Sequence, residues 1–133
     1  MLNHVVKVLL VVLVAGSLFV PLAAHGPHEA SMQKPQVRHI VVFKYKPGTT
    51  PEQIAQVTTA FRDLGRKIPG IVGFEDGVNN SPEGKNLGFT HVYMVTFEDA
   101  RARDAYLPHP EHKKFGQLLG QLGVVADAFV VDF

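Results

Sequence analysis

A tyrosine and two histidines lie close together around two prolines in the stretch Tyr106-Leu107-Pro108-His109-Pro110-Glu111-His112. Pro110 fits the first position of a helix, which places His112 near the third position. The positive end of the helix dipole disfavours an imidazolium ion there, so we expect a neutral imidazole that can accept a proton. Tyr106 and His112 are therefore candidates for an acid/base pair that removes a proton beside a carbonyl group.

His109 precedes a proline, and the residue before a proline is disfavoured in helical geometry. We expect His109 to lie in a loop or to cap the helix that Pro110 begins. A structural alternative exists for this whole stretch: His109 would fix the helix break while Tyr106 covers the core. The sequence leaves both interpretations open for Tyr106 and His112.

His39 and His91 each lie within an apolar stretch, in the same alternation as aromatic residues such as Tyr93. Two imidazoles on neighbouring strands that face one cavity could orient a ligand, or with His112 could bind a metal ion. The commoner role of a single strand histidine is that of a hydrogen-bonded core residue. Glu111 points elsewhere on its helix than His112, so the stretch is not a zinc-protease motif, and we expect no metal.

The composition fits one ordinary globular domain after a short leader. The chain has 133 residues, a net charge of +1 and 19% charged residues, with the basic side chains scattered. This distribution argues against a nucleic-acid partner. The absence of cysteine excludes disulfides, thiolate metal sites and a cysteine nucleophile, and no motif in the sequence indicates a cofactor.

Residues 1–24 have the pattern of a secretory signal peptide. Lys7 supplies the positive start, residues 8–20 form an unbroken apolar run, and small residues precede a cleavage point near Ala24. An uncleaved membrane anchor is the alternative, because the apolar segment approaches the roughly 20 residues that span a bilayer. Residues 25–36 are polar and predict a flexible linker. We expect a periplasmic or secreted protein that meets the membrane only through this N-terminal segment.

The rest of the chain alternates between strand and helix patterns. Thr50, Pro51 and Gln53 predict a capped helix start, and Pro69-Gly70 ends the helix after an apolar stripe that includes Phe61. The predicted strands are residues 37–45, 71–78, 87–97 and 124–133, and the predicted helices are residues 51–68, 99–106 and 110–122.

This order, β-α-β-β-α-β with the second helix interrupted, predicts a ferredoxin-like α+β fold with both helices on one face of a four-stranded sheet. The other face, carrying Val41, Phe43, Tyr93 and Val95 or their neighbours, would be left in water. An apolar sheet face of that size is unusual on a soluble monomer. We therefore expect a homodimer packed sheet to sheet, a dimeric α/β barrel that encloses a cavity.

Three stretches resemble the stress-response A/B-barrel (Dabb) family: residues 38–44, residues 88–92 and, most specifically, residues 106–115 with the pattern Y-x-x-H-P-x-H-x-x-F. The resemblance covers residues 37–133. It implies a ferredoxin-like protomer that forms a dimeric α/β barrel.

The same resemblance implies roles for individual residues. A plant polyketide cyclase of the family uses a tyrosine and a histidine at positions that match Tyr106 and His112, and it works without a cofactor. It also has histidines that match His39, His91 and His109, which we expect to bind a ligand with Tyr93. Phe61 stands where that enzyme has a tyrosine, so part of the polar lining is lost here.

Together these patterns predict an exported homodimer that binds a small, largely apolar or carbonyl-containing ligand. If the protein is an enzyme, we expect a cofactor-independent lyase, cyclase or isomerase that uses Tyr106 and His112. The alternative is a stress-response or ligand-binding protein without turnover, in which the histidines are structural. A cofactor-free monooxygenase is a third option, which the absence of tryptophan weakens.

Overall fold

The structure is a computed structural model that describes residues 35–133. The predicted signal peptide and all but the end of the predicted linker lie outside these residues. Within residues 35–133, none of the helices combines the length and the apolar character that a membrane crossing requires.

The described chain forms four strands and three helices in the predicted order. The strands are β1 (Val37–Tyr45), β2 (Ile71–Val78), β3 (His91–Phe97) and β4 (Val125–Asp132), and the helices are α1 (Pro51–Lys67), α2 (Ala100–Tyr106) and α3 (Pro110–Leu122). The strands make one sheet in the order β2-β3-β1-β4, and every neighbouring pair is antiparallel.

The start of α1 is set by the predicted capping box. The Thr50 hydroxyl accepts a hydrogen bond from the Gln53 backbone N–H, and the Gln53 side chain accepts one from the Thr50 N–H. Each bond satisfies a donor that the first helical turn leaves unpaired. The apolar stripe of α1 then packs on the sheet, with Val57, Phe61 and Leu64 buried.

The sequence left open whether Val41, Phe43, Tyr93 and Val95 or their neighbours face away from the helices, and the structure shows that the neighbours do. Val41 and Phe43 of β1 and Tyr93 and Val95 of β3 are buried in one cluster with residues of all three helices. These side chains therefore face the helices. The sequence alone did not distinguish the faces, because both alternating sets of β1 and β3 are largely apolar.

The neighbours of those residues form the opposite face, which no element of residues 35–133 covers and which is called the uncovered face below. Ile40 pairs directly with Met94 and Val131, and Val42 pairs with Val92 and Phe129, so these six side chains share one side of the sheet. Phe129 is 53% exposed and Val131 is 42% exposed. The uncovered face is thus apolar, as the sequence predicts for one of the two faces.

The third strand is shorter than predicted. It begins at His91 rather than at Leu87, because Leu87 has φ +52° and Gly88 has φ +86°. Consecutive residues in the left-handed region cannot continue a strand. The Lys44 ammonium group donates to the Leu87 carbonyl at 3.0 Å, which holds this turn against the end of β1.

Candidate active site

The break between α2 and α3 is built by His109. Its backbone is extended, with φ −61° and ψ 137°, and its Nδ1 accepts a hydrogen bond from the Glu111 backbone N–H at 3.2 Å. His109 is thus the N-cap of α3, which confirms the capping role expected from the sequence. The side chain serves the helix start and is absent from the lining of the cavity described next.

A cavity of about 300 Å³ lies between the helices and the sheet of a single subunit. Four of the sequence-predicted site residues line it: His39, Phe61, Tyr106 and His112. The remaining lining residues are apolar or glycine: Val41, Phe43, Leu107, Phe115, Gly116, Leu119, Ala128 and Val130. The sequence predicted a chamber enclosed between two copies. The side chains that line this cavity point instead to the helix-covered side of the sheet, within one subunit.

Tyr106 is the most enclosed polar side chain of this cavity. Its relative exposure is 0%, and its hydroxyl has no hydrogen-bond partner within residues 35–133. Its ring packs against Phe97, with centroids 5.0 Å apart, and against His39 at 5.8 Å. Burial raises the pKa of this phenol well above its ordinary value of 10.0. The hydroxyl therefore keeps its proton and can act as a hydrogen-bond donor.

His112 lies beside Tyr106, ring against ring, with centroids 4.2 Å apart. The two rings are tilted by 38° to each other, and no hydrogen bond joins Tyr106 to His112. The His112 Nδ1–H donates instead to the carbonyl of Leu107 at 3.0 Å, just past the end of α2. In the neutral ring this bond leaves the lone pair on Nε2, the nitrogen that can accept a proton.

His39 is held by a pair of charged residues that the sequence analysis did not select. His39 is 6% exposed, and its Nδ1 donates to the Asp132 carboxylate at 2.6 Å. The other carboxylate oxygen accepts from the Arg103 guanidinium. Partial burial acts to raise the pKa of Asp132, but the hydrogen bonds from His39 and Arg103 outweigh it and lower that pKa.

Only a weak signal in the sequence pointed to Asp132. It is one of two aspartates in a final strand that is otherwise almost entirely apolar. A carboxylate on such a strand indicates a specific partner, yet the partner is 93 residues away in the chain. Arg103 carried no signal of its own among the scattered basic residues.

His91 and Tyr93 lie outside the lining of the cavity, at the other end of the same face. The Tyr93 hydroxyl bonds to Tyr45 at 3.0 Å and to Thr58 at 2.9 Å. His91 bonds to Thr90 at 2.9 Å, and burial lowers the pKa of its imidazole. This hydroxyl cluster ties α1 to the sheet, and a ligand-binding role for His91 and Tyr93 stays a prediction.

Within the described residues, no three side chains of histidine, aspartate or glutamate are grouped so that they could hold a metal ion. The cavity offers instead one buried phenol and two oriented imidazoles in an apolar wall. A phenol and imidazoles can transfer protons to and from an apolar substrate. The Tyr106 hydroxyl is available to such a substrate because no described residue forms a hydrogen bond with it.

The comparisons with known proteins agree with this fold. The family model described as the stress responsive A/B barrel domain matches residues 37–133. The stress-response A/B barrel domain-containing protein HS1 of Arabidopsis thaliana is 30% identical over 100 residues, covering 75% of this chain and 90% of the relative. The olivetolic acid cyclase of Cannabis sativa is 30% identical over 82 residues, covering 62% of this chain and 81% of the cyclase.

Solved structures match with the same topology. A hydroxynitrile lyase from Passiflora edulis has a TM-score of 0.67 at 24% identity, covering 76% of this chain and 93% of the lyase, a likeness that shows the fold alone. A dimeric ferredoxin-like protein from Jannaschia sp. CCS1 has a TM-score of 0.63 at 26% identity, covering 74% of this chain and 98% of that protein. The predicted ferredoxin-like fold is confirmed, and the chain belongs to the stress-responsive A/B-barrel domain family.

Proposed function

We propose that the protein is an exported homodimer whose cavity binds a small, largely apolar carbonyl compound. In this proposal His112 removes a proton from the carbon beside the carbonyl, and Tyr106 donates a hydrogen bond to the carbonyl oxygen. The observation that carries the proposal is the Tyr106 hydroxyl, which is buried without a partner among the described residues in a largely apolar cavity beside His112.

The unpaired hydroxyl argues for a ligand that accepts a hydrogen bond. Leaving a buried donor unsatisfied costs about 1–3 kcal/mol, which a bound carbonyl oxygen would recover. When a proton leaves the neighbouring carbon, negative charge grows on that oxygen. A donor already aimed at the oxygen in an apolar site then stabilises the charge more strongly than it stabilised the neutral carbonyl.

His112 supplies the proton acceptor. Its Nδ1 is occupied by the Leu107 carbonyl, so the Nε2 lone pair receives the proton. The C–H bond breaks and its electron pair forms a C=C bond to the carbonyl carbon, which moves the C=O π pair onto the oxygen. Tyr106 holds the oxygen of this enolate. Attack of the enolate on a second carbonyl would give a cyclase, and loss of a leaving group would give a lyase. These steps move only protons and electron pairs, so they need no cofactor.

One relative supports this class of reaction without identifying the substrate, since it is a cyclase by name. The cavity volume of about 300 Å³ lies at the small end of ligand pockets, which favours a compact ligand.

Export and dimerisation have separate supports. Export is supported by the signal-peptide pattern of residues 1–24. A homodimer is supported by the apolar uncovered sheet face and by the dimeric ferredoxin-like neighbours, among them the Jannaschia protein and a protein from Thermobifida fusca.

A ligand-binding protein without turnover is the second candidate. It is favoured by the lining itself, since all but three of the lining side chains are apolar or glycine. In that case Tyr106 and His112 would fix the ligand's orientation without taking its proton.

Exchange of hydrogen for deuterium beside a carbonyl separates the two candidates. We expect the protein to accelerate this exchange in benzylacetone, a small ketone with an apolar end, when NMR follows the reaction in D₂O. Tyr106→Phe and His112→Ala should each lower the rate by about 100-fold or more, typical for the loss of an oxyanion donor or a general base. Tyr45→Phe, which removes a hydroxyl outside the cavity lining, should leave the rate unchanged.

The outcomes are distinct. Binding of benzylacetone without exchange would assign the protein to the ligand-binding class. Exchange that persists unchanged in both Tyr106→Phe and His112→Ala would contradict the proposed roles of these two residues.

A further inference from the structure

Three charged or polar side chains from three different elements form a chain that ends in the cavity. Arg103 of α2 donates to Asp132 of β4, and the same carboxylate accepts from His39 of β1. His39 is 6% exposed and lines the cavity with Tyr106 and His112. The proposed reaction uses Tyr106 and His112 but assigns nothing to this chain of residues.

The hydrogen bond to Asp132 decides which nitrogen of His39 is free. A carboxylate can only accept, so Nδ1 carries the hydrogen in the neutral ring and Nε2 carries the lone pair. A histidine whose tautomer is fixed in this way offers one defined acceptor to a ligand. His39 is thus equivalent in chemistry to His112, whose Nδ1 is occupied by a backbone carbonyl.

The Asp132 carboxylate depends on a second partner to stay oriented toward His39. Asp132 lies on β4, an edge strand of the sheet, and its side chain is 27% exposed, so water competes for the carboxylate. The Arg103 guanidinium occupies the second carboxylate oxygen and leaves the first one for His39. Arg103 is itself fixed, because its Nε donates to Asp104 at 2.8 Å.

We propose that Arg103 is a positioning residue: by holding Asp132 against His39, it fixes the His39 tautomer that offers Nε2 to the ligand as a second proton acceptor in the cavity. The role of this acceptor rests on the proposed function, while the tautomer itself can be measured on the protein without ligand. The Arg103 guanidinium donates to Asp104 through Nε and to Asp132 through Nη1. An ammonium group lacks this planar fork, so lysine should replace Arg103 only in part.

The test is the tautomer of His39, read from the nitrogen chemical shifts of ¹⁵N-histidine-labelled protein. The His39→Gln variant identifies the His39 signals by their loss. We expect wild type to show one tautomer with the hydrogen on Nδ1. Arg103→Met should give a mixture of the two neutral tautomers, and Arg103→Lys should restore most of the wild-type spectrum. Arg101→Met, which removes an exposed arginine of the same helix, should leave the spectrum unchanged.

A second readout links the tautomer to the reaction. We expect Arg103→Met to slow benzylacetone exchange about 10-fold, mainly through kcat, and Arg103→Lys to recover part of the loss. An unchanged His39 tautomer in Arg103→Met would overturn the inference, even if wild type catalyses exchange. Absence of exchange in wild type would overturn the proposed function, and the nitrogen spectra would still decide whether Arg103 positions His39.

Discussion

The Tyr106 hydroxyl serves the proposed function but lowers the stability of the ligand-free protein. It is buried without a hydrogen-bond partner in the described residues, while the Tyr45 and Tyr93 hydroxyls bond to each other at 3.0 Å. A buried unpaired hydroxyl destabilises the free protein, and a paired hydroxyl stabilises it. Tyr106 and Tyr45 should therefore respond in opposite ways to substitution by phenylalanine.

We predict that Tyr106→Phe raises the free energy of unfolding of the ligand-free protein by about 1 kcal/mol, because it removes an unsatisfied donor and keeps the ring packing. Urea denaturation monitored by circular dichroism measures this change. The matched control Tyr45→Phe should lower the free energy of unfolding by about 1 kcal/mol, since it breaks the bond to Tyr93. A Tyr106→Phe variant less stable than wild type would show that the hydroxyl has a partner.

Asp132 should make part of the stability dependent on pH. Its pKa is lower in the folded chain than its ordinary value of 3.8, so the unfolded chain binds this proton first as the pH falls. The stabilisation is therefore complete above about pH 5 and is lost as the pH falls through the folded pKa. We predict that Asp132→Asn loses less stability than wild type between about pH 5 and pH 2, measured by thermal unfolding. Parallel curves for the two proteins would contradict this prediction.

The sequence predicted which side chains form the site better than it predicted the hydrogen bonds between them. Tyr106 and His112 share one short stretch, so their proximity is local and could be inferred from spacing. His39 and Asp132 meet only because β1 and β4 pair in the sheet, with His39 directly opposite Asp132. Residue spacing contains no information on that register, which explains why Asp132 and Arg103 were missed.

At the scale of elements, the break between α2 and α3 determines where the site residues lie. Leu107 is the C-cap of α2 and accepts the hydrogen bond of His112, while His109 is the N-cap of α3. The proline on each side of His109 made this break predictable from the sequence. The start of β3 was not predictable in the same way, because Leu87 adopts a left-handed backbone that leucine rarely takes.

We predict that His109→Ala lowers the free energy of unfolding by about 1 kcal/mol, the usual cost of removing an N-cap side chain. His109→Asn should retain the stability, because the asparagine side chain can accept the Glu111 N–H as well. Urea denaturation of both variants provides the measurement. Equal losses in His109→Ala and His109→Asn would show that the imidazole acts through packing rather than through the cap.

Residues 35–133 form two layers, in which the helices cover one face of the sheet and no described element covers the other. The alternation of apolar residues predicted two apolar faces of the sheet. It did not predict which of the two faces the helices cover. The structure assigns Ile40, Val42, Val92 and Met94 to the uncovered face and the cavity to the covered one. The proposed dimer interface and the candidate site are thus on opposite sides of one sheet.

We predict that Phe129→Lys converts the protein from a dimer to a monomer at micromolar concentration, because it places a charge on the uncovered face where Phe129 is 53% exposed. The control is Val72→Lys, which places the same charge on a similarly exposed valine of β2, where the pairing after Ile71 is irregular. This variant should remain dimeric. Sedimentation velocity gives both masses. A monomeric wild type would contradict the expectation of a homodimer.

The most direct test of the proposed chemistry is a crystal structure of the protein with benzylacetone bound. We predict that the ketone occupies the cavity between helices and sheet, with its carbonyl oxygen about 2.5–3.0 Å from the Tyr106 hydroxyl. The carbon beside the carbonyl should face Nε2 of His112. A ketone bound with its carbonyl turned away from Tyr106, or bound only on the uncovered sheet face, would contradict the proposed roles of Tyr106 and His112.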